Sequence, residues 1–309
     1  MDFRTGKTTD NVPLVTVGVL SYNYSAYVIG ALNSVLAQTY PFIELIIVDD
    51  KSAENTPAII DQWIADNNIQ CTFIKNEKNI GITRVSNKII SLAKGKYISL
   101  FAIDDLMLPQ KLELQVKTLE DAGEEYGVCL VNANTMDEEG HPTGPYIEKD
   151  AFKVIEGDVL RPYVFGELKF CTPSSLIRTA IYAKTGPYDP RVLYEDYNFW
   201  LRAFAVAKVK YCDYPSLVYR VKKTSPIIEA WKVNKSERYY RDRVLSNHQA
   251  LYYIKDAKVK GFLKKKIAQY LKSLSANKSG FIKELIPFLI KKGYWHIPTR
   301  VWIRLITGK

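Results

Sequence analysis

Two adjacent carboxylates, Asp104 and Asp105, follow an apolar run from Tyr97 to Ile103 that predicts a buried strand. Two acids at the end of such a strand are costly in free energy if they stay unpaired. A divalent cation that also contacts a substrate phosphate would neutralise them, since such sites often combine one or two carboxylates with phosphates. The simpler alternative is a solvated turn with a helix-capping Asp, because Pro109 suits the first position of a helix.

Two more polar clusters follow predicted strands. Ser21-Tyr22-Asn23 ends the apolar run 14–20, and Asp49-Asp50 ends the run 42–48. A further acidic pair, Glu195-Asp196, begins a segment with apolar side chains at helical spacing. The helix dipole favours acids at that position, so simple capping competes with a chemical role for this pair.

Strands and helices alternate in the segment that carries the first three clusters. The predicted strands are 14–20, 42–48, 71–74, 97–103 and 127–132, and the predicted helices between them are 27–38, 56–66, 82–93 and 109–120. Strands this continuously apolar indicate an α/β fold with a mostly parallel, Rossmann-like sheet flanked by helices. Ligands of such sheets bind beyond the carboxyl ends of the strands, where the three clusters would meet. The sequence has no G-x-G-x-x-G and no P-loop, which argues against a dinucleotide oxidoreductase or an NTPase.

Composition indicates a globular protein with a substantial core. The chain has 309 residues, of which 47% are apolar, and no apolar run approaches the ~20 residues of a membrane helix. The polar residues 1–13 do not resemble a secretory signal. Four scattered cysteines without a C-x-x-C predict reduced thiols in a cytoplasmic protein, and three widely separated histidines suggest no metal cluster.

The net charge of +10 is concentrated at the C-terminal end. Residues 231–309 contain 19 Lys and Arg against 4 Asp and Glu, a net +15, whereas residues 1–230 contain 24 against 29, a net −5. We therefore predict one domain over residues 1–230 and a basic helical segment over residues 231–309.

Apolar residues in the basic segment recur at helical spacing opposite lysines. Leu263, Ile267 and Leu271 lie opposite Lys264–Lys266, and the runs 281–290 and 301–306 are accompanied by Trp295 and Trp302. Basic amphipathic helices with aromatic residues suit an anionic membrane surface. Packing on the rest of the chain or formation of a homodimer is the alternative, and no nucleic-acid-binding fold is recognised.

These landmarks together resemble the family-2 inverting glycosyltransferases, which have a GT-A fold. The resemblance covers about residues 14–220 and depends on five motifs in the family's order. They are Ser21-Tyr22-Asn23, Asp49-Asp50-Lys51-Ser52, Asn79-Ile80-Gly81, Asp104-Asp105 followed by Pro109-Gln110-Lys111-Leu112, and Glu195-Asp196 with Trp200 and Arg202. Each motif is weak alone, but five in this order and spacing are a strong indication.

Two residues depart from the family pattern. Ala102 stands where many members have the first Asp of the metal motif, and Lys51 stands where Gly is usual. Since some members have only the final acidic pair, we expect metal binding to survive. Lys51 puts the geometry of its turn in doubt, because Gly tolerates a positive φ and Lys does not.

The resemblance implies transfer of a sugar, with inversion, from a nucleoside-diphosphate sugar, here expected to be UDP-linked, to an acceptor hydroxyl. It implies a metal-dependent hexosyltransferase that uses Mn²⁺ or Mg²⁺ held by Asp104 and Asp105, with Asp196 as the catalytic base. The implied nucleotide-sugar site contains Ser21, Tyr22, Asp50, Arg84 and Asp104, although a solvated Arg84 is an equal alternative.

By the same resemblance, the acceptor is a saccharide or lipid-linked saccharide in bacterial surface polysaccharide or glycolipid synthesis. The basic segment 231–309 adds the expectation that this cytoplasmic protein can bind peripherally to the inner face of the membrane. A nucleotidyltransferase would share the sheet and the metal chemistry but would usually show a Gly-rich basic loop after the first strand, which this sequence lacks. A non-catalytic nucleotide-sugar-binding or membrane scaffold protein is favoured only by Ala102.

Overall fold

A computed structural model describes residues 12–148, 155–212, 214–222 and 237–276. The chain divides into two compact units, Met1–Tyr188 with Val206–Lys223 and Asp189–Ala205 with Thr224–Lys309. We call these the first and the second unit. The domain boundary predicted near residue 230 lies outside the described residues, so it stays a prediction.

The first unit contains eleven strands in its described part. In chain order they are β1 (Val15–Ser21), β2 (Ile43–Asp49), β3 (Thr72–Lys75), β4 (Tyr97–Ala102), β5 (Leu106–Met107), β6 (Tyr126–Val131), β7 (Asn134–Met136), β8 (Pro142–Pro145), β9 (Leu176–Arg178), β10 (Lys208–Cys212) and β11 (Leu217–Arg220). Seven form the main sheet in the order β10-β6-β9-β4-β1-β2-β3. Neighbours are parallel except where β9 lies antiparallel between β4 and β6.

The helices of the first unit follow the predicted alternation. They are α1 (Val28–Leu36), α2 (Thr56–Asp66), α3 (Ile82–Leu92), α4 (Lys111–Ala122), α5 (Leu160–Phe165) and α6 (Thr179–Thr185). Most residues of β1, β2 and β4 are buried, as expected for parallel strands covered on both faces. The predicted mostly parallel α/β sheet flanked by helices is therefore confirmed. Most boundaries differ from the predicted ones by one or two residues. Helix α4 begins at Lys111 rather than Pro109, because Leu108 to Gln110 form a turn closed by the Lys111 N–H donating to the Leu108 carbonyl.

A second, four-stranded sheet in the order β5-β11-β7-β8 lies next to the acidic pair in sequence. Its strand β5 begins directly after Asp105 and pairs antiparallel with β11, placing Leu217 opposite Met107 and Val218 opposite Leu106. The same register continued brings Arg220 opposite Asp104, so this small sheet determines what surrounds the acidic pair.

The described part of the second unit is helical. It contains α7 (Glu195–Val206), whose last residue belongs to the first unit, α8 (Glu237–Ala250) and α9 (Ala257–Ala276). Helices α8 and α9 pack against each other, and the predicted apolar face of α9 is buried at Leu263, Ile267, Leu271 and Leu274, while Lys264 and Lys265 are exposed.

Burial of the apolar face of α9 therefore supports the alternative in which this helix packs on the rest of the chain. The face that carries the lysines stays exposed. The runs 281–290 and 301–306, with Trp295 and Trp302, lie outside the described residues. Within the described part of the chain, we find no helix with the length and apolar character needed to cross a membrane.

Candidate active site

The turns that follow β1 and β2 are joined by hydrogen bonds. Ser21 Oγ donates to Asp49 Oδ2 at 3.0 Å, and the Asn23 N–H donates to Ser52 Oγ at 2.9 Å. Asn23 Oδ1 in turn accepts the Ala53 N–H at 2.7 Å. Asn23 and Lys51 both have a positive φ, 55° and 65°. Lys51 thus adopts the backbone conformation that the usual Gly would supply, and the turn keeps its shape at a cost in strain.

Asp50 is buried and anchors the turn before α3. Its Oδ1 accepts hydrogen bonds from Asn76 Nδ2 at 2.8 Å and the Ile80 N–H at 2.9 Å, and its Oδ2 accepts the Gly81 N–H at 2.8 Å. Gly81 has φ 83°, which suits glycine at this helix entry. The motif Asn79-Ile80-Gly81 and the Asp49-Asp50 motif therefore form one structure, although about thirty residues separate them.

Two other predicted nucleotide-site residues lie near these turns in sequence. Tyr22 is 45% exposed, so part of the residue is accessible to a ligand. Arg84, in the first turn of α3, is exposed and donates through Nη1 to the Ile80 carbonyl at 3.2 Å. Ser21, by contrast, is buried and its hydroxyl is used by Asp49, which gives it a role in holding the turn.

Asp104 and Asp105 lie just beyond the carboxyl end of β4, and both are buried. Asp104 Oδ2 lies 2.5 Å from Lys222 Nζ. Asp105 Oδ1 accepts the Arg220 N–H at 2.9 Å, whereas its Oδ2 is buried and has no hydrogen-bond partner in the described part of the chain. Burial, and then the neighbouring Asp104, raise the pKa of Asp105 well above its ordinary range, against the lowering effect of the Arg220 hydrogen bond.

Arg220 holds the backbone around the acidic pair. Its Nε donates to the Asp104 carbonyl at 2.9 Å, and its Nη1 donates to the carbonyls of Asp137 and Glu138 at 3.0 and 2.9 Å. Its guanidinium lies over the Tyr27 ring, 4.1 Å from the centroid. These contacts follow from the pairing of β5 with β11, which brings Arg220 opposite Asp104.

The acidic pair fits a divalent cation by its donor set. Carboxylate oxygens are the ligands that Mg²⁺ and Mn²⁺ prefer, and the buried Asp105 Oδ2 lacks the partner that such an atom normally has. Among the described residues, a second group that could hold an ion consists of Asp137, Glu139 and His141, but Glu139 and His141 are exposed, and exposed acidic groups are common without an ion.

Asp196 lies in the second unit, as the second residue of α7. Its Oδ1 accepts the N–H of Tyr197 at 2.6 Å. Burial raises the pKa of Asp196, while this hydrogen bond and the positive charge of Arg243 oppose the rise. Burial, and then the charge of Asp196, raise the pKa of Glu195 from its ordinary value to about 7. Both acids can therefore take up a proton more readily than exposed carboxyl groups.

Aromatic rings and amides surround the start of α7. The Arg243 guanidinium lies 3.9 Å from the centroid of the Tyr197 ring and 5.2 Å from those of Tyr194 and Tyr239. The Tyr197 hydroxyl donates to Asn247 Oδ1 at 2.8 Å. Helix α8 thus supplies the surroundings of the acidic residues on α7.

Trp200 and Arg202, which belong to the same motif as Glu195 and Asp196, have structural roles. Trp200 is buried and stacks on Phe204, with ring centroids 5.1 Å apart. Arg202 is also buried and donates through Nη2 to Asn198 Oδ1 at 3.0 Å. Asn198 Nδ2 donates to Gln249 Oε1 at 2.8 Å, which links α7 to α8. These residues hold the helix that presents Glu195 and Asp196.

Residues 16–177 match the family model described as glycosyl transferase family 2. The chain belongs to this family. A relative from Escherichia coli, named UDP-Glc:alpha-D-GlcNAc-diphosphoundecaprenol beta-1,3-glucosyltransferase WfaP, is 31% identical over 67% of this chain and 77% of its own length. The chain is thus a glycosyltransferase with a sequence relative of stated activity.

Solved structures share the GT-A fold with this family-2 glycosyltransferase. Staphylococcus aureus TarS, solved in complex with UDP-GlcNAc, has a TM-score of 0.66 and 18% identity over 96% of this chain and 87% of its own. The mannosyltransferase PcManGT from Pyrobaculum calidifontis, solved with GDP-Man and Mn²⁺, has a TM-score of 0.60 and 18% identity over 97% of this chain and 86% of its own. At this identity the likeness concerns the fold.

The cations around Asp104 and Asp105 were not predicted from the sequence. Arg220 is the last residue of β11, and Lys222 lies two positions further along the chain. The sequence shows these two basic residues, but only the pairing of β11 with β5 identifies their acidic partners. Arg243 was not predicted either, because it lies in the basic segment expected to serve a different purpose.

Proposed function

We propose that this glycosyltransferase transfers a sugar, with inversion, from a UDP-linked donor to a hydroxyl of a saccharide or lipid-linked saccharide. The observation that carries the proposal is the buried Asp104–Asp105 pair at the carboxyl end of β4 in a family-2 chain. The name of the WfaP relative, a UDP-glucose enzyme with a lipid diphosphate-linked acceptor, supports the donor and the acceptor class. It also supports a place in bacterial surface polysaccharide or glycolipid synthesis.

Asp104 and Asp105 would hold a Mn²⁺ or Mg²⁺ ion, which when bound supplies positive charge to the leaving diphosphate. The orphaned Asp105 Oδ2 supports this assignment, as does the Mn²⁺ present with GDP-Man in the PcManGT structure. Arg220 keeps both acids in place through the backbone of Asp104 and the carboxylate of Asp105.

Asp50, Tyr22 and Arg84 would bind the nucleotide. The Asp50 carboxylate accepts three hydrogen bonds and, with about four acceptor positions, retains one for a donor N–H of the base. The exposed Tyr22 ring offers a face for stacking, and Arg84 offers a charge to phosphate. Ser21 would contribute by holding the turn through Asp49.

Asp196 would accept the proton of the acceptor hydroxyl as the new bond forms. A base must be deprotonated when the acceptor binds, and Arg243 favours that state of Asp196 against the effect of burial. Glu195, with its pKa raised to about 7, is the neighbouring acid, and we assign the base to Asp196 because that residue matches the base position of the family motif.

A panel of nucleotide sugars tests the proposal. Full-length protein with Mn²⁺ should show a raised melting temperature with one donor, because a ligand that binds the folded state stabilises it. The same donor should be hydrolysed slowly without acceptor, and the D196N variant should bind it but not transfer. If neither binding nor turnover occurs with any UDP-, GDP- or dTDP-sugar, the proposed function is wrong.

We further propose that the protein lies peripherally at the cytoplasmic face of an anionic membrane and contacts it through the basic segment 231–309. Formation of a homodimer through this segment is the alternative. The exposed Lys264 and Lys265 on α9 support attraction to anionic lipid, worth ~1 kcal/mol for each basic residue near the surface. Replacing Lys264, Lys265 and Lys272 by Gln should weaken sedimentation with anionic vesicles at low salt and leave neutral vesicles unaffected. Equal sedimentation of both proteins would contradict the proposal.

A further inference from the structure

Lys222 forms an ion pair with Asp104, a contact that metal binding by the acidic pair would not need. Its Nζ lies 2.5 Å from Asp104 Oδ2, and the two side chains are only 16% and 12% exposed. The ammonium also lies 3.2 Å from the centroid of the Tyr24 ring. A lysine ammonium is therefore the cation that Asp104 contacts among the described residues.

The two basic residues at this site differ in how firmly they are held. Arg220 donates to three backbone carbonyls, those of Asp104, Asp137 and Glu138, and cannot leave without breaking them. The ammonium of Lys222 contacts one carboxylate and Tyr24 and lies 6.0 Å from the centroid of the Tyr27 ring, but it donates to no backbone carbonyl in the described part of the chain and ends a flexible four-carbon chain. Of the two, Lys222 is the cation that can change partner.

The ammonium and a divalent cation cannot both use Asp104 Oδ2 at short range. Nζ takes up one acceptor position of Oδ2 at 2.5 Å, and a second cation bound to the same oxygen would be repelled by the ammonium in a mostly buried site. A metal bound by Asp104 would displace Lys222. Since Asp105 would hold the same metal, the displaced ammonium would be available to the diphosphate of the donor.

We propose that Lys222 is a donor-binding residue that pairs with Asp104 in the free protein and turns to the donor's diphosphate when a divalent cation takes Asp104. The inference depends on the proposed function for the identity of the acidic pair as a metal site. It assigns this chain a second cation for the leaving group.

Direct measurement of Mn²⁺ binding to the full-length protein, without nucleotide, tests the competition. In the K222M variant Mn²⁺ should bind about fivefold more tightly than in the wild type, because a pair worth ~1 kcal/mol no longer opposes it. The signal of free Mn²⁺ in electron paramagnetic resonance gives the dissociation constants without any turnover. K222R, which keeps the charge, should bind Mn²⁺ like the wild type.

A matched control removes a lysine from an ion pair elsewhere in the first unit. Lys208 Nζ lies 2.8 Å from Glu125 Oε2, just before the start of β6. This pair is at the amino end of its strand, whereas the acidic pair is at the carboxyl end of β4. K208M should leave Mn²⁺ affinity unchanged. An unchanged or weaker Mn²⁺ affinity in K222M, or no Mn²⁺ binding to either protein at millimolar concentration, overturns the competition.

Inorganic pyrophosphate tests the second half of the inference in metal-free protein. D104N should bind pyrophosphate several-fold more tightly, because it releases Lys222, and the D104N/K222M double variant should lose that gain. Equal binding by the single and double variants overturns the role toward diphosphate. Pyrophosphate carries no base or sugar, so an error in the proposed donor would appear in the nucleotide-sugar panel and leave this result intact.

Discussion

Two acidic pairs, one in each unit, have similar sequences but different surroundings. Asp104-Asp105 and Glu195-Asp196 each lie near an arginine that stacks on a tyrosine, Arg220 on Tyr27 and Arg243 on Tyr197. The similarity ends at the nearest cation. Asp104 has an ammonium at 2.5 Å, whereas no salt bridge to Glu195 or Asp196 is found in the described part of the chain.

The difference indicates two kinds of chemistry. A carboxylate pair that already binds a cation directly is suited to holding positive charge, which is the function proposed for Asp104 and Asp105. The second pair has no direct cation, and burial raises the pKa of Glu195 to about 7, close to the pH at which a proton-transferring group works. Burial raises the pKa of Asp105 as well, so the direct cation, and not the pKa, distinguishes the first pair. The comparison therefore separates a charge-holding pair from a proton-transferring pair.

The largest effect expected is from D196N, which keeps the shape of the side chain but cannot accept a proton. Transfer should fall by about 10²- to 10⁴-fold, the usual contribution of a general base, while donor affinity stays nearly unchanged. Turnover and donor binding are measured separately on the same preparation. Near-normal turnover would mean that Asp196 only caps α7, and the comparison would lose its proton-transferring member.

The corresponding change in the first pair is D105N. The Asn Oδ1 can still accept the Arg220 N–H, so the backbone should stay in place. Transfer should fall by about 10²- to 10³-fold, comparable to the loss of one electrostatic contact to a developing charge. Dependence on added Mn²⁺ or Mg²⁺ should be lost with it.

Removal of metal gives the control for that prediction. Wild-type transfer should stop in EDTA and return with Mn²⁺. Activity that EDTA does not diminish would show that the first pair does not hold a catalytic cation, even if D105N is inactive.

The first pair also shows what the sequence could and could not predict. The apolar run 97–103 and the acids after it predicted the strand and its polar end, because burial and chain direction are local properties. Lys222 could not be assigned, because its contact depends on the antiparallel pairing of β5 with β11 across more than one hundred residues. The antiparallel insertion of β9 was unpredictable for the same reason, since a three-residue strand has almost no periodicity.

The second pair was predicted as a helix start, and α7 does begin at Glu195. The alternatives of capping and catalysis could not be separated, because the pKa depends on Tyr197, Arg243 and the packing of α8, which spacing does not reveal. The position of α9 with its apolar face buried likewise depended on a partner helix rather than on its amphipathic pattern alone.

A smaller effect is expected from E195Q on stability. Because the folded-state pKa is raised from 4.5 to about 7, the stabilisation from the protonated form is complete below pH 4.5 and is lost as the pH rises through about 7. Gln is neutral at all pH values, so E195Q should be more stable than the wild type at pH 8, by about 1–3 kcal/mol, and equal to it near pH 4.5. Urea unfolding at both pH values measures this. The same stability difference at both pH values would show that Glu195 is not held in a proton-accepting environment.

The smallest effect concerns the backbone strain that distinguishes the first unit. In the described residues, the non-glycine positions with positive φ are Asn23, Lys51 and Asn68, all in that unit. Asn tolerates this conformation better than most residues, and Asn23 also accepts the N–H of Ala53 on the neighbouring turn, whereas no side-chain hydrogen bond of Lys51 is found in the described part of the chain. K51G should relieve the strain and raise the free energy of unfolding by about 0.5–1 kcal/mol, after allowing for the greater freedom of Gly in the unfolded chain. K51A, which removes the side chain but keeps a Cβ, should give no such gain. If K51G and K51A have the same stability, the backbone conformation of Lys51 is not strained. The turn that joins Asp49 to Ser52 would then hold the positive φ of Lys51 without a cost in free energy.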